Sequence, residues 1–180
     1  MKNWLLRSLT ALLLTLTLSA GLVVPASAAV SRETLKAAAT AVAYEKVGGS
    51  NYAKYKKLYP TQLNWGNDGC SVPNYIYLAP GLAAVLKAYG QVFEKSCDRH
   101  DFGYRNFGKN TKDTAGPHPK FSPTRATKDK IDSRFHSNMK VQCDQKFGGT
   151  LKAPLRAACK AAAKVFYEAV SLRGDKAFFG

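Results

Sequence analysis

The sequence predicts an all-α fold tied together by disulfides, with two long helices carrying its center. Three observations support this. Apolar residues recur at three- and four-residue intervals through most of the chain, and no stretch alternates as a strand would. Two of the periodic stretches are long, over residues 91–107 and 128–147. Four cysteines, Cys70, Cys97, Cys143 and Cys159, all lie downstream of a leader-like N-terminus, in a chain that would meet an oxidising compartment.

That N-terminus sets the compartment. Lys2 and Arg7 precede a Leu-rich run over residues 9–24 that ends in the small residues Ala26, Ser27 and Ala28, the pattern of a secretory signal peptide cleaved after Ala28. The apolar run is short and interrupted by threonines, and no later stretch is long enough to span a bilayer, so a membrane anchor is the weaker reading. The expectation is a signal peptide over residues 1–28, then one secreted, extracellular domain over residues 29–180, a length that suits a single core.

In the mature part, Ala and Leu at helical spacing predict a helix over residues 33–47, and an aromatic-rich piece predicts a shorter one over 51–59, ended by Pro60. Residues 61–81 hold Gly66, Gly69, Pro73, Pro80 and Gly81 and read as loop. Residues 82–89 form a helix that Gly90 is expected to break, and the central helix follows over 91–107. Residues 108–127 are basic and contain Pro117, Pro119 and Pro123, which remove backbone donors and restrict their neighbours, so this segment is expected to be an exposed loop. In the second long helix Ile131, Phe135, Met139 and Gln142 share one side, and Gly148 and Gly149 close it. A last helix over 153–172 puts Leu155, Ala158, Cys159, Ala162, Phe166 and Val170 on one face. Two disulfides are expected. Three pairings are possible, with proximity favouring Cys70 with Cys97 and Cys143 with Cys159, and the spacing of a thiolate zinc site is missing.

Charge narrows the partners. The signal's two basic residues come off a formal net charge of +15, leaving +13 on the mature chain, so anionic partners are drawn to it at long range. A secreted cationic membrane-binding or antimicrobial protein without catalysis is therefore the rival to any enzyme reading. Specific nucleic-acid binding is not expected, because no DNA- or RNA-binding motif accompanies the basic residues, and a metal-dependent nuclease has thin support. A monomer is expected.

The most informative stretch is CDRHDFGYRNF, from Cys97 to Phe107. Cys97, His100, Tyr104 and Phe107 fall on one helix face, with Asp101 about a third of a turn round, so both His100 and Asp101 can border one cleft. A histidine there can take a proton from water near neutral pH, and an adjacent carboxylate can hold a hard cation. Taken alone, such a pair is more often a hydrogen-bonded core histidine and a surface charge. The stretch, however, resembles the small secreted phospholipases A2 of bacteria and fungi, whose catalytic helix has the form C-x-R-H-D-F-G-Y-R-N-[YF]. A W-x-x-D-x-C segment precedes it, from Trp65 to Cys70, and an I-D-S-x-F segment follows, from Ile131 to Phe135. The four cysteines also fall where that family's do. The resemblance covers about residues 64–170.

It implies a disulfide-linked phospholipase A2-like helical domain whose two long helices run antiparallel and carry the catalytic site. His100 is then the general base that activates water against the sn-2 ester of a glycerophospholipid, and Asp132 orients it. Ca2+ is implied as cofactor, held by the carboxylates of Asp68 and Asp101 and the backbone carbonyl of Gly69, where it polarises the ester carbonyl. The implied partner is a phospholipid membrane or micelle surface, with anionic lipids favoured. Three features depart from the family: Gly69 stands where a bulkier residue is common, the Cys70 to Cys97 interval is longer, and the 108–127 loop is longer and more basic. Tyr75, Ile76, Tyr77 and Leu78 form an apolar patch in the first added segment, either core or a surface that dips into lipid. Lys109, Lys112, Lys120, Arg125, Lys128 and Lys130 are expected to face anionic headgroups at about 1 kcal/mol each.

Overall fold

A computed structural model describes residues 29–71, 82–109 and 120–180. The expected signal peptide, the apolar patch at residues 75–78 and Lys112 lie outside the described residues.

Six helices and no strand make up the described residues: α1 (Arg32–Ala43), α2 (Asn51–Leu58), α3 (Leu82–Phe107), α4 (Arg125–Lys146), α5 (Ala153–Arg173) and α6 (Asp175–Phe179). Among the described residues no helix is long and apolar enough to cross a membrane. α1 starts at a side-chain cap, Ser31 Oγ accepting from the Thr34 amide at 3.1 Å, which satisfies one of the free donors of its first turn. It stops at Ala43, short of the expected residue 47. There the Asn138 side chain takes over the backbone, accepting from Val47 N at 2.9 Å and donating to Glu45 O at 2.9 Å. α4 begins at Arg125, three residues before its expected start, because Thr124 Oγ1 caps it by accepting from Thr127 N at 3.1 Å.

The expected break at Gly90 does not occur: α3 runs unbroken through it for 26 residues. Glycine costs a helix interior about 1 kcal/mol relative to alanine. The helix is held on the C-terminal side of Gly90 by buried Phe93 and by the Cys70–Cys97 disulfide, and that tertiary packing outweighs a local preference.

α3 and α4 lie antiparallel, since Ser96 meets Gln142 at one end while His100 meets Asp132 and Gly103 meets Ile131 toward the other. The second disulfide, Cys143–Cys159, clips α4 to α5 with a Cα–Cα distance of 5.7 Å, and both pairings are those favoured by proximity. On α5 the buried face is Cys159, Ala162, Ala163, Phe166 and Ala169, whereas Leu155 and Ala158, expected on that face, are exposed. In the first turns of α5 it is Arg156 that turns toward the end of α4, 3.8 Å from Asp144 Oδ1 and donating to Phe147 O at 2.8 Å. The short α6, which no periodic pattern announced, returns Phe178 to the core.

The core has two parts. One gathers α1 with Leu63, Phe102, Phe107, Ile131 and Phe178; the other gathers Phe93, Phe135, Met139 and Phe166 around the helix-borne Cys97, Cys143 and Cys159. His100 sits where they meet. Its ring packs on Phe135 at 4.5 Å and on Tyr104 at 4.2 Å.

Candidate active site

The antiparallel pairing of α3 and α4 brings His100 to Asp132, with Nε2 of the imidazole 3.0 Å from Oδ1. Both are almost sealed from solvent, at 8% and 1% exposure. A carboxylate at that position makes Nε2 the protonated nitrogen and leaves Nδ1 as the acceptor. Nδ1 faces the other way, 3.8 Å from Asp101 Oδ1, too far for a direct hydrogen bond but within reach of a shared water. Burial pulls the His100 pKa down, but the carboxylates of Asp101 and Asp132 on either side favour the charged ring and hold the net value above the ordinary one.

Asp132 accepts from three side chains. Oδ1 takes the Tyr104 hydroxyl at 2.9 Å as well as His100, and Oδ2 takes the Lys128 ammonium at 2.7 Å. Burial alone would raise its pKa, yet the His100 and Lys128 partners outweigh it and keep the carboxyl below its usual range. Burial, followed by the negative charge of Asp132, pushes the Tyr104 phenol far up, so it donates as a neutral hydroxyl. Lys128 is fully buried, which overturns its expected place among the headgroup-facing charges. Its partner lies one helical turn ahead on its own helix, and burial cancels the charge-exposure tendency that the expectation rested on.

The remaining sequence-predicted residues come from the loop before Cys70. Asn106 pins this loop to α3: its Oδ1 accepts from Asn64 N at 3.0 Å, and its Nδ2 donates to Asn64 O and to Phe102 O, each at 2.8 Å. Trp65 donates from Nε1 to Tyr59 O at 2.8 Å and packs on Phe102 at 4.4 Å, while the Cys70–Cys97 disulfide ties down the far end. The loop so held brings the Asp68 amide to Asp101 Oδ2 at 2.7 Å. Arg105 donates to Asp68 Oδ1 at 2.8 Å. Gly69 follows with φ +64°, the left-handed region that a side chain enters at a cost of about 1–2 kcal/mol. Glycine is therefore the residue this turn asks for.

Asp68, with Gly69 next to it in the chain, thus stands against Asp101, and His100 and Asp132 lie beside them. Among the described residues no three His, Cys, Asp or Glu side chains gather as a metal cluster. The expected set does not need three: it consists of two carboxylates and a backbone carbonyl, all hard oxygen donors of the kind Ca2+ selects. The Asp68 side chain is 52% exposed and that of Asp101 21%, so both reach solvent, and each has one oxygen engaged and one left. The residues present fit that ion.

Sequence reasoning missed four contributors: Tyr104 and Lys128 on Asp132, Arg105 on Asp68, and Asn106 on the loop. Three of them lie inside the CDRHDFGYRNF motif, so the spacing held the signal, but a side chain's partner on another element cannot be read from spacing. Arg99, also in the motif, forms a buried ion pair with Glu45 at 2.9 Å. Glu45 in turn accepts from the Asn51 and Tyr52 amides, which anchors α2 next to the site.

Comparison with known proteins identifies relatives of this chain. A secretory phospholipase A2 of Beauveria bassiana (strain ARSEF 2860) is 30% identical over 119 residues, covering 66% of this chain. The match spans about half, 48%, of that protein's own length. A family description, prokaryotic phospholipase A2, matches residues 42–174, which include every residue placed in the site above. The chain belongs to the prokaryotic phospholipase A2 family.

Proposed function

We propose that this chain is a secreted, calcium-dependent phospholipase A2 that hydrolyses the sn-2 ester of glycerophospholipids to a lysophospholipid and a free fatty acid. The observation that carries the reading is the buried pair of His100 and Asp132, which fixes the proton on Nε2 and turns the basic Nδ1 toward Asp101 and the Asp68 loop. Family membership and the secretory relative support it.

In this reading Nδ1 of His100 takes a proton from a water molecule, whose oxygen attacks the sn-2 carbonyl carbon. The imidazolium that forms is stabilised by Asp132, which keeps its orientation throughout because Tyr104 and Lys128 hold both of its oxygens. The ring then returns the proton to the departing glycerol oxygen as the C–O bond breaks. Asp68, Asp101 and the Gly69 carbonyl would hold Ca2+, which when bound supplies positive charge to the lipid phosphate and to the oxyanion. Arg105 braces the Asp68 carboxylate, and Gly69 turns the chain there without strain.

The lipid surface that meets this site is taken to be anionic, and the charges facing it differ from those first expected. Lys128 is buried and Arg125 is paired with Asp175, whereas Lys109, Lys130 and, on α2, Lys54, Lys56 and Lys57 are exposed. α2 lies against the rim of the site, Tyr52 packing edge-on against Trp65 at 5.4 Å.

Release of fatty acid from sn-2-labelled phosphatidylcholine vesicles by the purified mature protein tests the reading, with calcium and with excess chelator. Calcium-dependent release that His100→Ala abolishes without unfolding is the expected result. A folded wild type that releases nothing in either condition would replace this reading with that of a cationic membrane-binding protein.

A further inference from the structure

Lys128 is an unexpected residue to find buried. It lies at the end of the first turn of α4, where the helix dipole disfavours a cation, and it stands four residues before its acidic partner, the weaker orientation for such a pair. What holds it there comes from another helix. Its ammonium donates to Val170 O at 2.9 Å and reaches Ser171 O at 3.4 Å, carbonyls of the last turn of α5 that lack intrahelical partners or share one, and a helix C-terminus favours a cation. Asp175 Oδ1, at the start of α6, lies 3.4 Å away on the same side. With Asp132 Oδ2 at 2.7 Å, four acceptors surround the three donors of the ammonium, Asp132 and Val170 being the nearest.

The same stretch touches the other partner of Asp132. A Cβ on Gly174 would stand 2.6 Å from the Tyr104 hydroxyl, and Phe178 packs edge-on against the Tyr104 ring at 4.9 Å. Each oxygen of Asp132 therefore accepts from a group that contacts residues 170–178, Tyr104 on one and Lys128 on the other.

We propose that Lys128 is a positioning residue for hydrolysis: its buried ammonium locks Asp132 to the C-terminal end of α5, so the segment from Val170 to Phe178 forms part of the catalytic frame. This rests on the phospholipase reading above and adds to it a part of the chain that carries no catalytic group. Lys128 touches neither substrate nor His100 and acts only through Asp132. Freed from it, Asp132 could rotate about its side-chain torsions while still bound to Tyr104, and Nδ1 would lose its aim at the water.

The test is a kinetic cycle on dispersed short-chain phospholipid using the wild-type chain, Lys128→Met, Asp132→Asn and the double variant, with calcium affinity of each measured by calorimetry. Lys128→Met is expected to lower kcat about 10²-fold, the scale of a misaimed catalytic group, with KM and calcium affinity unchanged. In the double variant kcat should equal that of Asp132→Asn, because the lysine has nothing left to act through. Wild-type kcat in Lys128→Met, or losses that multiply in the double variant, would overturn the proposal. If Lys128→Met does not fold, the double variant, which removes both buried charges and keeps both shapes, is compared with Asp132→Asn alone, and the same equality decides. An Asp132→Asn enzyme as fast as wild type would instead overturn the phospholipase mechanism itself, and the role of Lys128 with it.

Discussion

Asp132 and Asp101 flank one imidazole, yet their surroundings separate their tasks. Asp132 is sealed and accepts from three side chains, so its charge is spent on holding His100. Asp101 is partly open: one oxygen accepts from the Asp68 amide, and the other lies 3.8 Å from His100 Nδ1. Two carboxylates with contrasting environments are the usual mark of divided roles. Asp132→Asn should therefore cut kcat by about 10²- to 10⁴-fold, the range for disabling general-base catalysis, and leave the calcium requirement near that of wild type. Asp101→Asn should do the converse, raising the calcium concentration needed for half-maximal rate. Titrating each variant with calcium separates the two, and an interchange of these results would mean that the carboxylates are assigned the wrong way round.

At the scale of the helices, the decisive quantity is how closely α3 and α4 approach, and Gly103 sets it. A Cβ there would meet three side-chain carbons of Ile131 at 3.0–3.2 Å, so this buried isoleucine, 1% exposed, would have to give way by a few tenths of an ångström in a packed interior. Ile131 precedes Asp132, and Gly103 lies one turn from His100. Gly103→Ala is thus expected to cost about 1–3 kcal/mol as overpacking and to slow hydrolysis by lengthening the His100–Asp132 contact. A melting curve beside a rate measurement checks both, and a more stable, fully active variant would show that the helices have room to spare. Much of this element was readable beforehand. The motif placed His100 and Asp101 on a helix, and the apolar spacing of Ile131, Phe135 and Met139 identified the face of α4 that is buried. What spacing could not show were features decided across elements. α3 continues through Gly90 because packing beyond it outweighs a local preference, α4 starts early on the Thr124 cap, and Lys128 is buried because the end of α5 receives it. α6 is five residues long, too short to display a period.

Over the whole molecule, charge is the property the sequence displays most openly, and the fold redistributes it. Six basic residues between Lys109 and Lys130 were expected to face anionic headgroups, but two of them are paired within the molecule. Lys128 is committed to Asp132, and Arg125 forms a two-pronged pair with Asp175, at 2.6 Å on each oxygen, that holds the Asp175 carboxyl down at about 2. The exposed excess lies partly on α2, where Lys54, Lys56 and Lys57 occur in a stretch, residues 46–67, without a single acidic residue. Attraction between such exposed charges and an anionic bilayer is screened over about 10 Å at 0.1 M salt and about 3 Å at 1 M. In the proposed mechanism, proton transfer at the buried His100–Asp132 pair is much less exposed to that screening. Raising salt should accordingly weaken binding of the His100→Ala protein to phosphatidylglycerol vesicles steeply, while turnover of a dispersed short-chain phospholipid by the wild-type chain changes little. Lys54→Gln, Lys56→Gln and Lys57→Gln combined should flatten the salt dependence of vesicle binding and leave the turnover of dispersed substrate intact. If the triple variant keeps the full salt dependence, the surface that meets lipid lies elsewhere on the molecule, away from α2.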